Sequence, residues 1–447
     1  MTKKRDNFSS KLGFVLATAG SAVGLGNLWR FPYLAAKYGG GIFLLVYLVL
    51  AVTFGFTLMM AEIALGRRTR MSGIRAFSSM SSKYSLVGYL TFAIPMLIFP
   101  YYCVIGGWVV KYLTVFLTGG MKAATGATYF SDFIGSNGSP VVFMLIFLFI
   151  TAGVILKGVQ GGVEKVSTIL MPLLILMMVF ICVFTIAQPG SLQGVIYYIK
   201  PDFSKFSSAT VLAALGQLFY SMSLAMGIMI TYGSYMKKED DLESSVTQVE
   251  LFDTGIAFLA GLMIVPAVYV FSGGNEAAMQ SGPGLMFITL PSVFNSMKFG
   301  GVIGAFFFIL VFFAALTSAI SLMEALVSMI RDKFHVERKK ATIILLVVAI
   351  VLGIPSSLGY GVWSNITIFG YSILDFWDFL SNSILMPIVA FLTCIFIGYT
   401  VKPEFVIEEV ESSGTFKRKK LFTVMIRYIA PVCILAIFLC GLGIVQI

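Results

Sequence analysis

The sequence predicts an all-α polytopic membrane protein of about eleven transmembrane helices, two of them interrupted at mid-membrane. Three observations predict it. Of 447 residues, 58% are hydrophobic and only 12% are charged, a balance foreign to soluble globular chains of this length. Apolar runs long enough to cross a bilayer recur along the chain, near 12–36, 41–66, 87–118, 140–157, 165–187, 209–235, 247–272, 302–331, 341–356, 366–399 and 421–446. The first and sixth of these runs carry residues that an ordinary spanning helix does not tolerate. Transmembrane β-strands are excluded, because the runs are too long and too uniformly apolar to alternate every second residue.

Span 1 contains Gly20-Ser-Ala-Val-Gly-Leu-Gly-Asn-Leu-Trp-Arg-Phe-Pro32, with three glycines, an asparagine, an arginine and a proline at membrane depth. Unpaired backbone in hydrocarbon costs several kcal/mol per group, so irregular structure survives there only where it lines a cavity or a bound ion. The segment reads as two half-helices around an unwound hinge. Span 6 reads Gly216-Gln-Leu-Phe-Tyr-Ser-Met-Ser-Leu-Ala-Met-Gly227, with three hydroxyl side chains near its middle. Taken alone, Ser221 and Ser223 read as hydroxyls that bond back to their own helix. Paired with span 1, they mark discontinuous spans that each open a five-span half, the pattern of a 5+5 inverted-repeat transporter. The chain 1–447 is then one domain, with repeat one over 12–187, repeat two over 209–399 and an extra span over 421–446.

Basic residues set the orientation. Lys3, Lys4, Arg5 and Lys11 precede span 1; Arg67, Arg68, Arg70, Arg75 and Lys83 separate spans 2 and 3. Lys237 and Lys238 follow span 6, Arg331, Lys333, Arg338, Lys339 and Lys340 follow span 8, and Lys402 and 417–420 lie between spans 10 and 11. The alternate connections are poor in Lys and Arg. The amino terminus is therefore expected in the cytoplasm and the carboxyl terminus outside, in the cytoplasmic membrane, with no cleavable signal peptide. The net charge of +10 is this asymmetry summed over short loops, and it does not argue for nucleic acid.

Several chemistries lack material. The five cysteines fall within spans, and the one histidine, His335, lies in a loop. There is no GxxxxGK[ST] for ATP, and Gly24-Leu-Gly26 lies mid-span, not in a strand–helix turn. Asn137-Gly-Ser139 reads as a chance glycosylation match. An intramembrane enzyme needs a nucleophile with a base or a metal cluster, and a channel assembles its pore from like subunits; neither suits sites split between unlike spans.

The residues Gly24 to Pro32, Gly39-Gly-Gly-Ile-Phe43, Glu62 with Gly66-Arg67, Gln217 to Ser223, Phe287-Ile-Thr-Leu-Pro291 and Phe313-Ala-Ala-Leu-Thr-Ser318 together resemble the neurotransmitter:sodium symporters, the family of the bacterial leucine transporter. The match runs from about Arg5 to the end and is nearest to short bacterial members without a twelfth span. The resemblance implies the leucine-transporter fold and a zwitterionic amino-acid substrate. It places the substrate carboxylate on the amides of Leu25 and Gly26 and on Tyr102, and the ammonium on the carbonyls of Ala22, Tyr220 and Ser221 with Ser223. It implies two sodium ions. The first takes Ala22, Asn27, Ser221, Asp253 and the substrate carboxylate; the second takes Gly20, Val23 and Ala314 carbonyls with Thr317 and Ser318 hydroxyls.

From the residues alone, the tyrosines also read as interfacial or packing aromatics, and a mid-helix Thr-Ser pair as a packing hydrogen bond. Asp253 stands where many relatives have asparagine, and Ala257 stands one turn later where chloride-dependent relatives have serine. Asp253 thus reads as a built-in replacement for chloride; the competing place for it is the solvated end of span 7. The side-chain pocket is expected from Ile98, Ile105, Tyr220, Met226, Ser318 and Leu322, which suits an apolar or aromatic amino acid, tyrosine first.

Arg30 needs an anionic partner, with Asp375 the natural one and Asp378 the competitor one turn on. Arg5 and Asp332 match the family's inner ion pair. Gly162 and Pro172 match a spacing that marks local unwinding in some members, or Pro172 is only a kink. Glu324 reads as a protonated, hydrogen-bonded carboxyl in preference to a coupling residue. Sodium ions, an amino acid and the lipid bilayer are the expected partners; a homodimer is compatible with the sequence but not required by it. The function expected is sodium-coupled, chloride-independent amino-acid import by alternating access.

Overall fold

The computed structural model describes residues 5–275 and 282–444. Lys3 and Lys4, and the residues of span 11 beyond 444, lie outside the described residues. Among the described residues the chain is helical, and nine helices are long and apolar enough to span a membrane: Gly41–Thr69, Ser82–Leu117, Ser139–Leu156, Val159–Ile186, Leu242–Phe271, Gly300–Phe334, Arg338–Leu358, Ile373–Thr400 and Lys419–Gly441. These are spans 2 to 5 and 7 to 11. Spans 1 and 6 are the interrupted ones. Span 1 is Lys11–Ala22 and Gly26–Lys37, two pieces meeting at 55°. Span 6 is Ser208–Ser221 and Ile228–Tyr235, separated by six residues without regular helix.

Local chemistry sets these ends. Ser10 caps span 1 by accepting the Gly13 amide, and Ser207 with Thr210 forms a reciprocal capping box at the start of span 6. The break in span 6 holds Ser223 and Ala225 at φ of 52° and 63°, followed by Gly227 at 74°. Positive φ in a non-glycine residue costs about 1–3 kcal/mol, so the surroundings must hold it. Glu62 of span 2 does so in part, accepting the Ala225 amide at 2.7 Å.

Four helices begin with a proline two residues after a widened, π-helical turn: Pro32 after Gly26–Arg30, Pro291 after Leu285–Thr289, Pro387 after Phe379–Leu385 and Pro431 after Met425–Ile429. Proline cannot donate to the carbonyl four residues back and its ring crowds that carbonyl; the wider turn relieves both problems without ending the helix. Pro172 behaves differently. Span 5 runs through it as regular helix from Lys165 to Ile186, and the departure from α-helix lies at the Gly162 end, in the π-helical turn Val159–Glu164.

Spans 3 and 8 form the centre, 83% and 72% buried over their apolar windows, and they pack against each other and, in the case of span 8, against span 1. Spans 5 and 11 are only 33% buried and present broad apolar faces outward. The two interrupted spans are thus held in a frame of continuous helices. That frame lets unwound backbone exist at membrane depth without facing lipid.

Candidate functional site: a pocket between two interrupted spans

The breaks in spans 1 and 6 face each other across one pocket. Ala22, Leu25, Gly26 and Asn27 line it from span 1; Tyr220, Ser221, Ser223 and Met226 line it from span 6. Ile98 and Tyr102 of span 3 and Ser318 and Leu322 of span 8 complete the wall. Ser21, Gly24 and Ile228 also line it, and the sequence reading did not include them. Their neighbours Ala22 and Met226 were the available signal. Ile105 does not belong to this pocket: one turn on from Tyr102, it lines a separate cavity toward the Arg30 face.

Close approach explains the glycines. A Cβ on Gly24 would lie 2.9 Å from the Ser318 hydroxyl, and one on Gly26 would lie 2.9 Å from the Tyr220 ring. Gln217 donates to the Gly26 carbonyl at 3.1 Å, steadying the turn that opens the second half of span 1. The Tyr102 hydroxyl is buried beside the Leu25 amide and the Ser318 hydroxyl yet has no hydrogen-bond partner among the described residues. A buried, unpartnered donor at a helix N-terminus is suited to an anionic group entering the pocket. Ser223 is occupied differently from expectation, donating to the Ser21 carbonyl at 3.0 Å and so tying one break to the other.

Two clusters of oxygen atoms flank the pocket. In the first, Asp253 is fully buried and its carboxylate receives Asn27 Nδ2 at 2.8 Å, Ser221 Oγ at 2.8 Å and the Tyr47 hydroxyl at 3.4 Å. The solvated placement of Asp253 is therefore overturned. No Lys or Arg bonds it among the described residues, so its negative charge is left for a cation to balance. In the second, Ser318 Oγ lies 3.2 Å from the Val23 carbonyl and Thr317 Oγ1 3.1 Å from the Ala314 carbonyl, with the Gly20 backbone close against the Thr317 side chain. Both clusters offer hard, mostly uncharged oxygens, the donor set for an alkali cation and not for a transition metal. Ala22 completes the wall beside the first cluster.

The gate residues are placed unevenly. Arg5 meets Asp332 at 2.5 Å and also bonds Ser234 and Ser328, while Ser72 donates twice to the same aspartate. That end is closed. At the other end Arg30 forms no ion pair among the described residues, its guanidinium lying 5.7 Å from the Tyr220 ring centre. Asp375 does not ion-pair with it in this structure: it is held in the first turn of its helix by Ser372 at 2.6 Å and accepts from Tyr360 at 3.3 Å. Asp378 is bonded by Tyr101 and Asn382, and like Asp375 it faces the cavity that Arg30 lines without forming an ion pair with it. Between these groups lies a cavity of about 550 Å³ lined by Arg30, Tyr220, Asp375 and Asp378.

Glu324 corrects the sequence reading. It is an ion-paired carboxylate, gripped by Arg338 at 2.6 and 2.9 Å and by the Tyr235 hydroxyl at 2.8 Å. Asp6 joins it by bridging Arg331 and Arg338. Span 8 alone did not reveal this pair, because Arg338 lies beyond the helix end, fourteen residues on.

Known proteins agree with this arrangement. The chain is 34% identical to an uncharacterized sodium-dependent transporter of Haemophilus influenzae, over 98% of this chain and 99% of that one. It is 33% identical to the uncharacterized sodium-dependent transporter YhdH of Bacillus subtilis, over 99% of each. The crystal structure of MhsT in complex with L-phenylalanine superposes with a TM-score of 0.88 at 37% identity, covering 98% of this chain and all of that one. The family pattern described as sodium:neurotransmitter symporter matches residues 5–132 and 124–446. The chain is a multi-span membrane transporter with the leucine-transporter fold, and it belongs to the sodium:neurotransmitter symporter family.

Proposed function

We propose that this protein imports a hydrophobic or aromatic L-amino acid with two sodium ions by alternating access and without chloride. The observation that carries the reading is the meeting of Asn27, Ser221 and the fully buried Asp253 at the wall of the pocket that holds the unpartnered Tyr102 hydroxyl. The Leu25 and Gly26 amides and Tyr102 receive the substrate carboxylate, and the carbonyls around Ala22, Tyr220 and Ser221 receive its ammonium. One sodium sits between that carboxylate and Asp253, so ion and substrate each raise the other's affinity, and the coupling is reciprocal. The other sits among Gly20, Val23, Ala314, Thr317 and Ser318, pinning the break of span 1 to span 8.

Asp253 supplies a fixed negative charge, and Ala257 offers no hydroxyl for a chloride ion; both support chloride independence. Ile98, Met226, Ile228 and Leu322 form an apolar wall for the substrate side chain. Methionine adapts its shape and favours aromatic contact, and the phenylalanine held by MhsT adds support for an aromatic ligand, with tyrosine placed first. The excess of basic residues in the loops at the Arg5 end supports a cytoplasmic Arg5 end and an external Arg30 end and carboxyl terminus, in the cytoplasmic membrane. Loading from outside is followed by closure of Arg30 toward Asp378, then by release of the Arg5–Asp332 pair. A homodimer is not needed for any step.

Equilibrium binding of labelled L-tyrosine to purified protein tests this, at varied sodium and with competition by twenty amino acids. Binding should require sodium and yield to aromatic and large aliphatic competitors; sodium-independent binding, or competition only by charged amino acids, contradicts the reading.

A further inference from the structure

We infer that a cavity where spans 2, 10 and 11 end on the Arg5 face binds the phosphate headgroup of an anionic phospholipid. The cavity, about 440 Å³, draws its three cations from three elements: Arg68 at the end of span 2, Lys402 just after span 10, and Arg427 on span 11. Arg70, two residues on from Arg68, bonds the backbone of Ser234 and Met236, and Arg5 bonds the Ser234 hydroxyl, so this end of span 2 belongs to the Arg5 face.

The three cations are unequally committed. Arg68 is spent, donating to the Phe405 carbonyl at 2.6 Å and to Glu408 at 3.0 Å while stacking on the Phe405 ring. Arg427 uses Nε on the Gly398 carbonyl at 3.1 Å, which fixes its direction, and its nearest carboxylate, Glu404, stands at 4.0 Å. Lys402, at φ of 66°, makes no ion pair or hydrogen bond through its ammonium among the described residues. The two carboxylates of the rim, Glu404 and Glu408, are 62% and 66% exposed and so are well screened by water. An oriented guanidinium and a free ammonium are left facing one cavity.

The surroundings select a lipid over a free anion. Tyr399 and Tyr428 are exposed beside the cavity, and the Tyr399 hydroxyl donates to the Arg427 carbonyl at 2.7 Å, the placement of interfacial aromatics. From there Val424, Tyr428, Val432 and Leu435 form an exposed stripe at helical spacing along span 11. A phosphate seated on Lys402 and Arg427 would therefore have apolar surface for its acyl chains directly below it. Basic pockets between spans commonly hold anionic headgroups.

The test uses the full-length protein taken from bilayers of equal phosphatidylglycerol and phosphatidylcholine, with retained lipid counted by native mass spectrometry. Wild type should keep phosphatidylglycerol in preference to phosphatidylcholine. Lys402→Gln with Arg427→Gln should weaken that retention about 25-fold, at about fivefold per cation near an anionic surface. Lys402→Arg with Arg427→Lys keeps the charge and should keep the lipid, which separates lost binding from lost folding. Inorganic phosphate at millimolar concentration should not displace the lipid. Equal retention in the glutamine variant, no preference for phosphatidylglycerol in wild type, or full displacement by phosphate alone would overturn the inference.

Discussion

Asn27 Nδ2 donates to Asp253 Oδ1 at 2.8 Å, joining the break of span 1 to the middle of span 7 across 226 residues of sequence. The same asparagine accepts the Gly24 amide through Oδ1 at 3.0 Å. One side chain therefore closes the unwound turn and presents it to the buried carboxylate. The geometry of the break and the charge beside it cannot change independently.

Asp253→Asn keeps the shape of this unit and removes its charge. The sodium midpoint for substrate binding should rise about 12- to 150-fold, the scale of a charge-assisted contact worth about 1.5–3 kcal/mol. Wild-type uptake should persist when gluconate replaces chloride, and Asp253→Asn should gain chloride sensitivity only when Ala257→Ser is added. Strict chloride dependence of the wild type contradicts the role given to Asp253.

Thr317→Ala and Ser318→Ala each delete one hydroxyl from the second oxygen cluster and leave the Leu25 and Gly26 amides in place. The sodium dependence of substrate binding should move to higher concentration in each, and further in the double variant. An unchanged midpoint in a folded double variant would mean that these hydroxyls only pack span 8 against span 1.

Much of this was legible in the chain because hydrophobicity and backbone exceptions are local signals. The glycines and Asn27 of span 1 betray an unwound turn, and eleven of the twelve residues assigned to the substrate converge on one pocket. The failures are long-range. Ile105 shares a helix face with Ile98 and Tyr102 but lines the neighbouring cavity, and how far the pocket extends along span 3 is not encoded in the spacing of span 3. Arg30 ion-pairs with neither Asp375 nor Asp378 among the described residues, and Ser372 bonds Asp375 as a helix cap, a local bond that forms without any distant charge. Glu324 looked isolated because Arg338 and Asp6 reach it only after the tail and span 9 fold back.

Met226→Phe tests the pocket wall. Added bulk in a packed site costs about 1–3 kcal/mol, or about 5- to 150-fold in affinity for a ligand that fills it. Tyrosine and tryptophan should lose affinity on that scale, while alanine should lose much less. Competition by tyrosine, tryptophan, phenylalanine, leucine and alanine against one labelled substrate reads the shift directly; a wild type indifferent to aromatic competitors removes the basis of the pocket assignment.

The amino-terminal tail should hold through neutral pH and loosen only in acid. Burial raises the Asp6 carboxyl, but hydrogen bonds and charge from Arg331 and Arg338 outweigh it and leave the group below its ordinary 3.8. A depressed value means that the docked tail binds protons less readily than the free tail. The contribution is therefore complete above about pH 4 and is lost as pH falls through the docked-state value. Hydrogen exchange in the tail, corrected for intrinsic rates, should be flat from pH 8 to 5, and Asp6→Asn should speed it at pH 7; no acceleration would assign docking to the Arg5–Asp332 pair and the Ser9–Glu164 bonds without Asp6.

The most direct test of the whole account is uptake of labelled L-tyrosine and L-phenylalanine into proteoliposomes under an imposed sodium gradient. Accumulation should follow the inward gradient, collapse when sodium is equal on both sides or replaced by potassium, survive removal of chloride, and fail in Asp253→Asn at low sodium. Equal accumulation with and without the sodium gradient would contradict the claim that Asp253 and its partners couple the ion to the substrate.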